Sequence, residues 1–212
     1  MKTIYIYLLD TLADWELGYV TAELNSRRFF KNDAPFLTIK TVSHSRQSIN
    51  TMGGVKITPD CLVEEIELSE RSVLLLPGAD TWRSPSHKAI LGVAGELLSI
   101  GGTVGAICGA TVAIANIGLL NENLHTSNGL EFLEMFCPNY RGQNYYLDQS
   151  SVANNNLITA GSAGGLMWAK QIIESLNVFE QDTLEAWYNY FSTGKANYFL
   201  ELMQTLPSAK EI

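Results

Sequence analysis

Short apolar runs separated by segments of helical periodicity are the feature that most constrains the fold of this chain. Residues 3–9, 73–76 and 103–107 are runs rich in β-branched, leucine or aromatic residues. Runs of this length without polar alternation are typical of strands buried on both faces of a parallel sheet. After the first run, apolar residues recur at helical spacing over residues 17–24. The chain therefore begins as a strand followed at once by a helix.

The same alternation continues along the chain. Further strands are predicted at residues 36–42, 144–147 and 157–159, a hairpin at 48–52 and 55–58, and helices at about 87–100, 110–117, 165–176 and 182–205. The hairpin prediction rests on Gly53 and Gly54, because paired glycines accept the positive φ angles of a tight turn. Strands and helices alternating over short connections predict one α/β domain over residues 1–212, with a mostly parallel central sheet and helices on both faces.

Charge and hydropathy limit the partners of the chain. The formal net charge is −8, and neither a basic run nor a basic helix face stands out. This pattern argues against general affinity for nucleic acid or anionic membrane, so we expect a small-molecule partner. The first apolar run is too short for a signal sequence or a membrane-spanning helix. We therefore predict a cytoplasmic protein.

Cysteines and histidines are few and widely spaced. They are Cys61, Cys108, Cys137, His44, His87 and His125. This spacing suits neither a secreted disulfide framework nor the close pairs of a zinc site. We expect reduced thiols and no metal, and the first strand has no glycine-rich phosphate loop after it that would indicate a nucleotide cofactor. His44 and His87 are expected to be exposed and without a role.

Cys108 follows a predicted strand and precedes a predicted helix. A sharp turn between strand and helix exposes a reactive side chain and needs small neighbours, which Ala106, Gly109 and Ala110 provide. A thiol at a helix N-terminus is expected to have a lowered pKa. The Gly109 N–H could stabilise an oxyanion. The alternative is that Cys108 is only a small apolar residue at a strand end.

Several motifs together resemble the ThiJ/PfpI branch of the class I glutamine amidotransferase-like superfamily. They are Leu74-Leu75-Leu76-Pro77-Gly78-Ala79-Asp80, Ala106-Ile107-Cys108-Gly109-Ala110, Gly118-Leu119-Leu120 and Leu124-His125-Thr126-Ser127-Asn128. The spacing from Asp14-Trp15-Glu16 and the Gly53-Gly54 pair agree with this resemblance. It covers about residues 1–178 and leaves 179–212 as a helical extension. It implies a flavodoxin-like three-layer sandwich that forms a homodimer and requires no cofactor.

The resemblance also implies roles for individual residues. Glu16 would stand against Cys108 and, in a partly apolar pocket, would hold its proton and donate to the thiolate. Backbone amides of Gly78 or Ala79, together with Gly109, would form the oxyanion site. Trp82 would wall the pocket. The alternatives are a first-turn carboxylate at Glu16, a plain Pro-Gly turn and a packing tryptophan.

One position departs from the family pattern. Catalytically active relatives carry a histidine that serves as base for the cysteine, where this chain has Asn128. Asparagine cannot take a proton at neutral pH, which makes hydrolysis doubtful. A shift in register that brings His125 into the site is the alternative to local packing of that residue.

Two classes of function follow from these residues. The first is a stress-related thiol enzyme, with amidotransferase-, peptidase- or glyoxalase/deglycase-like activity, in which Cys108 attacks a small electrophile and Glu16 assists. The second is a noncatalytic protein that senses oxidants or binds a small ligand, because Asn128 replaces the base.

Overall fold

The computed structural model describes residues 1–206. The strands are β1 (Lys2–Tyr7), β2 (Leu37–Ser43), β3 (Ile49–Asn50), β4 (Lys56–Ile57), β5 (Cys61–Leu62), β6 (Ser72–Leu76), β7 (Thr103–Ile107), β8 (Ser151–Asn154) and β9 (Leu157–Ala160). The helices are α1 (Asp14–Ser26), α2 (Lys88–Ser99), α3 (Gly109–Asn116), α4 (Leu130–Phe136), α5 (Gly165–Leu176), α6 (Gln181–Thr193) and α7 (Ala196–Thr205).

The central sheet has seven strands in the order β5-β2-β1-β6-β7-β9-β8. All neighbouring pairs are parallel except β8 with β9, which is antiparallel. Every residue of β6 is buried, as expected for a central strand covered on both faces. Strands β3 and β4 form the separate antiparallel hairpin predicted around Gly53 and Gly54. The predicted α/β sandwich with a mostly parallel sheet is confirmed.

Helices cover the two faces of this sheet in two groups. Helix α5 contacts α1, α6, β7 and β9, and α7 packs on α6. Helices α2 and α3 contact each other and β7, and α4 packs on α3. Gly105 in β7 shows how closely one layer approaches the sheet, because a Cβ at this position would lie 2.9 Å from the Trp168 ring. The ring therefore packs directly on the strand that leads to Cys108.

The predicted strand at residues 144–147 is wrong. Residues Gln143–Tyr145 form a 3-10 turn, in which the Tyr145 N–H donates to the Gly142 carbonyl and the Tyr146 N–H to Gln143. Beyond these local bonds the segment makes only a single bridge, at Tyr146, in which the His125 N–H donates to the Tyr145 carbonyl and the Leu147 N–H donates to the His125 carbonyl. Prediction also missed β5, β8 and α4.

The C-terminal extension is helical as predicted, but it is two helices. Gly194 separates α6 from α7 in the left-handed region, with φ of 67°. Glycine adopts this conformation without the steric cost that a side chain imposes. Residues 207–212 of the predicted extension lie outside the described part of the chain. Within residues 1–206, no helix combines the length and apolar character needed to cross a bilayer.

Candidate active site at the Cys108 turn

Cys108 occupies a strained turn where β7 passes into α3. Its backbone has φ of 56° and ψ of −123°, a region that side chains rarely adopt. Such a conformation costs about 1–3 kcal/mol and persists only where the surroundings hold it. Here the Cys108 N–H donates to the Ala160 carbonyl at 2.9 Å, and the Cys108 carbonyl accepts from the Thr111 N–H at 3.0 Å. The neighbouring strand and the first turn of the helix thus fix the cysteine.

Gly78 brings the turn after β6 against this cysteine. A Cβ at Gly78 would lie 2.7 Å from the Cys108 Cβ and 2.8 Å from both carboxyl oxygens of Glu16. No larger residue fits there without displacing one of them. Gly109 is similarly confined, since its Cβ would lie 3.0 Å from the Ala79 carbonyl oxygen. The two glycines let residues from three segments meet around one sulfur.

Glu16 lies in the first turn of α1 and is fully buried. Its Oε2 accepts a hydrogen bond from the Gly78 N–H at 2.5 Å. Its Oε1 has no hydrogen-bond partner among residues 1–206. Burial raises the pKa of Glu16 to about 7, and the Gly78 N–H and the Cys108 thiol oppose this rise. A carboxyl with this pKa exchanges its proton near neutral pH.

The Cys108 thiol does not have the lowered pKa expected from its place at a helix N-terminus. Burial raises the pKa, and the charge of Glu16 adds to the rise. Hydrogen bonds from the Asn128 side chain and the Gly109 N–H act in the opposite direction. The expectation was wrong because desolvation of the thiolate outweighs the dipole of a short helix. The fraction of Cys108 present as thiolate therefore depends on whether the neighbouring Glu16 is protonated.

Asn128 is held with its amide nitrogen toward the sulfur. Its Nδ2 donates to Cys108 Sγ at 3.4 Å, and its Oδ1 accepts from the Ser162 N–H at 2.7 Å. The Ser162 bond fixes the orientation of the amide, because the oxygen is the atom that accepts. Sequence reasoning missed Ser162, although it follows β9 at the carboxyl edge of the sheet, where ligands of such folds bind.

Trp82 packs against the Pro77-Gly78 turn and is hydrogen-bonded to it. Its Nε1 donates to the Pro77 carbonyl at 2.8 Å, and its buried ring packs against Tyr7 and His87. The expectation that His87 is exposed was wrong, since it is buried and its Nδ1 lies 2.7 Å from the Tyr7 hydroxyl. Through these contacts Trp82 supports the Pro77-Gly78 turn.

His125 lies in a separate buried network. Its Nε2 is 2.6 Å from the Tyr140 hydroxyl, and its Nδ1 is 2.7 Å from the Asn123 carbonyl. Both ring nitrogens are thus engaged, and burial lowers the pKa of the ring. The structure brings Glu16, Gly78, Gly109 and Asn128 to Cys108, with Ala79 against Gly109, and leaves His125 apart. Residues 1–206 contain no group of three or more histidine, cysteine or acidic side chains placed to hold a metal ion.

Comparisons with known proteins identify the family of the chain. Residues 2–175 match the DJ-1/PfpI family. The chain is 43% identical to the uncharacterized protease YoaZ of Bacillus subtilis, over 97% of this chain and 98% of the relative. A thiJ/pfpI family protein from Bacillus anthracis superposes with a TM-score of 0.94 at 43% identity, covering 97% of this chain and 98% of that one. A DJ-1 superfamily protein from Agrobacterium tumefaciens has a TM-score of 0.79 at 27% identity, covering 92% and 99%. The chain belongs to the DJ-1/PfpI family.

Proposed function

We propose that the protein is a cysteine-dependent enzyme that acts on small electrophilic carbonyl compounds in a glyoxalase-like reaction. Cys108 is the nucleophile, and Glu16 carries the proton. The observation that supports this proposal most strongly is the Glu16 carboxyl, which is buried beside the sulfur with Oε1 unpartnered among the described residues. A buried carboxyl with a pKa of about 7 can both accept and return a proton at neutral pH.

The proposed first step is addition of the thiol to an aldehyde. Glu16 takes the thiol proton as Cys108 Sγ attacks the carbonyl carbon, so the S–C bond forms and the C=O π bond breaks. Glu16 then gives the same proton to the carbonyl oxygen, and the product is a thiohemiacetal. The N–H groups of Gly109 and Ala79 are the proposed donors to the oxygen while it carries negative charge. No redox reagent is needed for this step.

Asn128 favours this chemistry over peptide hydrolysis. The relative from Bacillus subtilis is named an uncharacterized protease, but peptide hydrolysis also requires a base for water and an acid for the leaving amine. Asn128 donates to the sulfur and cannot take its proton. Glu16 would be left as the single proton carrier, which suits addition to an aldehyde better than amide cleavage.

A second candidate function is redox sensing, and the same unpartnered Oε1 of Glu16 favours it. Hydrogen peroxide would oxidise the Cys108 thiolate: the O–O bond breaks, one oxygen bonds to sulfur to give the sulfenic acid, and the other leaves as hydroxide and is protonated to water. A second equivalent would give the sulfinic acid. A protonated Glu16 could donate from Oε1 to the new sulfur-bound oxygen. Asn128 could donate to the same group.

The predicted partner, cellular location and oligomeric state are part of the same proposal. The partner is a small electrophile, with neither nucleic acid nor membrane involved, and the protein is a cytoplasmic homodimer. Light scattering after size exclusion would test the dimer.

Consumption of methylglyoxal tests the proposed function. We expect wild-type protein to consume it catalytically, Cys108→Ser to be inactive, and Glu16→Gln to lose at least about tenfold because it cannot exchange a proton. Cys61→Ser, which removes a partly exposed thiol outside the turn, is the matched control and should keep wild-type activity. If wild type consumes no aldehyde but peroxide converts Cys108 selectively to the sulfinic acid, the redox function replaces the enzymatic one.

A further inference from the structure

A polar cleft of about 320 Å³ lies beside Asn128. It forms where the 3-10 turn after β9, Ser162–Gly164, meets the loop that precedes β8. Its walls are Ser127, Asn128, Asp148, Gln149, Ser150, Gly161, Ser162, Ala163 and Gly164. The cleft is distinct from the buried cluster around His125, and nothing in the carbonyl addition above uses it.

Asn128 connects the cleft to the reactive sulfur. Its side chain forms part of the cleft wall, and its Nδ2 lies 3.4 Å from Cys108 Sγ. A molecule that occupies the cleft therefore lies one side chain away from the thiol. This position is suited to the part of a substrate that does not react but sets its orientation.

The wall of the cleft carries one negative charge that no salt bridge neutralises. Asp148 is the one charged residue in its wall, it is exposed, and it joins none of the salt bridges formed within residues 1–206. Two other polar side chains are already committed, since the Ser127 hydroxyl pairs with Thr111 at 2.6 Å and the Asn128 amide bridges Ser162 and the sulfur. The cleft thus offers a carboxylate without a cation beside it.

Trp15 is outside the cleft wall but is hydrogen-bonded to one of the wall residues, Ser162. The Trp15 side chain is 55% exposed, which is unusual for a tryptophan, and its Nε1 donates to the Ser162 carbonyl at 3.3 Å. This bond uses the edge of the indole, and more than half of the residue remains exposed. Cations bind over the face of tryptophan more strongly than over other aromatic rings.

We propose that this cleft selects electrophiles that carry a cationic group, with Asp148 as the counter-charge and Trp15 as an aromatic contact. The proposal rests on the reactivity proposed for Cys108, since it names the class of substrate. Ammonium and guanidinium groups share the required chemistry, which is a single positive charge within reach of a carboxylate.

Methanethiosulfonates of different charge test the cleft directly. In each reaction the Cys108 thiolate forms a disulfide with the sulfenyl sulfur, the S–S bond of the reagent breaks, and methanesulfinate leaves. The rates with trimethylammonioethyl, sulfonatoethyl and methyl methanethiosulfonate give the cation-to-anion ratio, with the neutral reagent as reference. Mass spectrometry assigns each adduct to Cys108, and free cysteine supplies the intrinsic ratio of the reagents.

We expect the cation-to-anion ratio at Cys108 to exceed that of free cysteine by about tenfold, and Asp148→Asn to lower it by about fivefold. Glu174→Gln removes an equal charge from the exposed side of α5, so it is the matched control and should keep the wild-type ratio. A ratio equal to that of free cysteine, or equal in Asp148→Asn and wild type, would overturn the cleft proposal while Cys108 still reacts. Failure of Cys108 to react even with the neutral reagent would instead refute the proposed function, and the cleft proposal with it.

Discussion

Two carboxylates on helix α1 are almost completely buried, and they differ in their partners. Glu23 accepts from both ends of the Arg28 guanidinium and from the Trp187 indole N–H at 3.0 Å. Glu16 accepts from the Gly78 N–H, and its Oε1 has no hydrogen-bond partner among residues 1–206. Burial is nearly the same, 0% exposed for Glu16 and 1% for Glu23.

The comparison shows that partners, and not burial, decide what a buried carboxylate does. The cation and the indole at Glu23 stabilise its charge, and through Trp187 they tie α6 to α1. Glu16 has no cation beside it, only the neutral Gly78 N–H and Cys108 thiol, so its charged form is poorly compensated and its pKa rises to about 7. We interpret Glu23 as a structural anchor and Glu16 as a group that exchanges a proton.

The largest expected effect is on folding stability at Glu23. Glu23→Gln removes the charge that Arg28 and Trp187 surround, and it should lower the free energy of unfolding by about 2–3 kcal/mol. The figure lies below that of a fully buried ion pair because the Arg28 side chain is 50% exposed and can regain water. Urea denaturation measures the change, and Glu174→Gln provides the exposed control. A loss no larger than in that control would remove the distinction between the two carboxylates.

Replacement of Glu16 should stabilise the protein, whereas replacement of Glu23 destabilises it. The gain in stability should depend on pH. Because the folded-state pKa of about 7 lies above the ordinary glutamate value of 4.5, the folded protein binds more protons than the unfolded chain between these values. This contribution to stability is present below the unfolded value and is lost as pH rises through the folded one. Glu16→Gln cannot ionise, so from about pH 5 to pH 8 its stability should gain about 2 kcal/mol relative to wild type. A difference that does not change over this pH range would show that Glu16 has an ordinary pKa.

A smaller effect is expected at Asn128, which donates to the sulfur that Glu16 adjoins. Asn128→Ala removes a donor that favours the thiolate, and should slow alkylation of Cys108 by iodoacetamide about fivefold. Asn144→Ala, which removes an exposed amide elsewhere, serves as control. Equal rates in wild type and Asn128→Ala would mean that the 3.4 Å contact has no influence on the thiol.

The strand-helix pattern was sufficient to predict the sheet and most helices, because buried parallel strands leave a strong apolar signal. The two-tyrosine segment at Tyr145 and Tyr146 was misleading, since aromatic residues favour strands but here the tyrosine N–H groups donate to the Gly142 and Gln143 carbonyls and form a turn. Strand β8 carries little signal because it lies at the sheet edge and is polar. The break at Gly194 was not predicted, although a glycine within a helical pattern can mark a helix end.

The residues of the candidate site were easier to predict than the pKa shifts of its side chains. Family resemblance pointed to Glu16, Gly78 and Cys108, but the direction of the thiol pKa depends on burial, which the sequence does not contain. The partner of Asn128 is Ser162, 34 positions away, and such pairs become visible only when the sheet brings strand ends together. The place of His125 was likewise set by a distant residue, Tyr140.

In this interpretation Cys108 and Glu16 share protons as one coupled pair. The most direct test is the pH dependence of alkylation at Cys108, followed by residue-level mass spectrometry in wild type, Cys108→Ser and Glu16→Gln. We predict a wild-type profile with a step near pH 7, where the pair loses its first proton, and a second rise at higher pH as the raised thiol pKa is passed. The step near pH 7 should be absent in Glu16→Gln. A single step at or above the ordinary thiol pKa of about 8.5, identical in wild type and Glu16→Gln, would show that the two groups are not coupled.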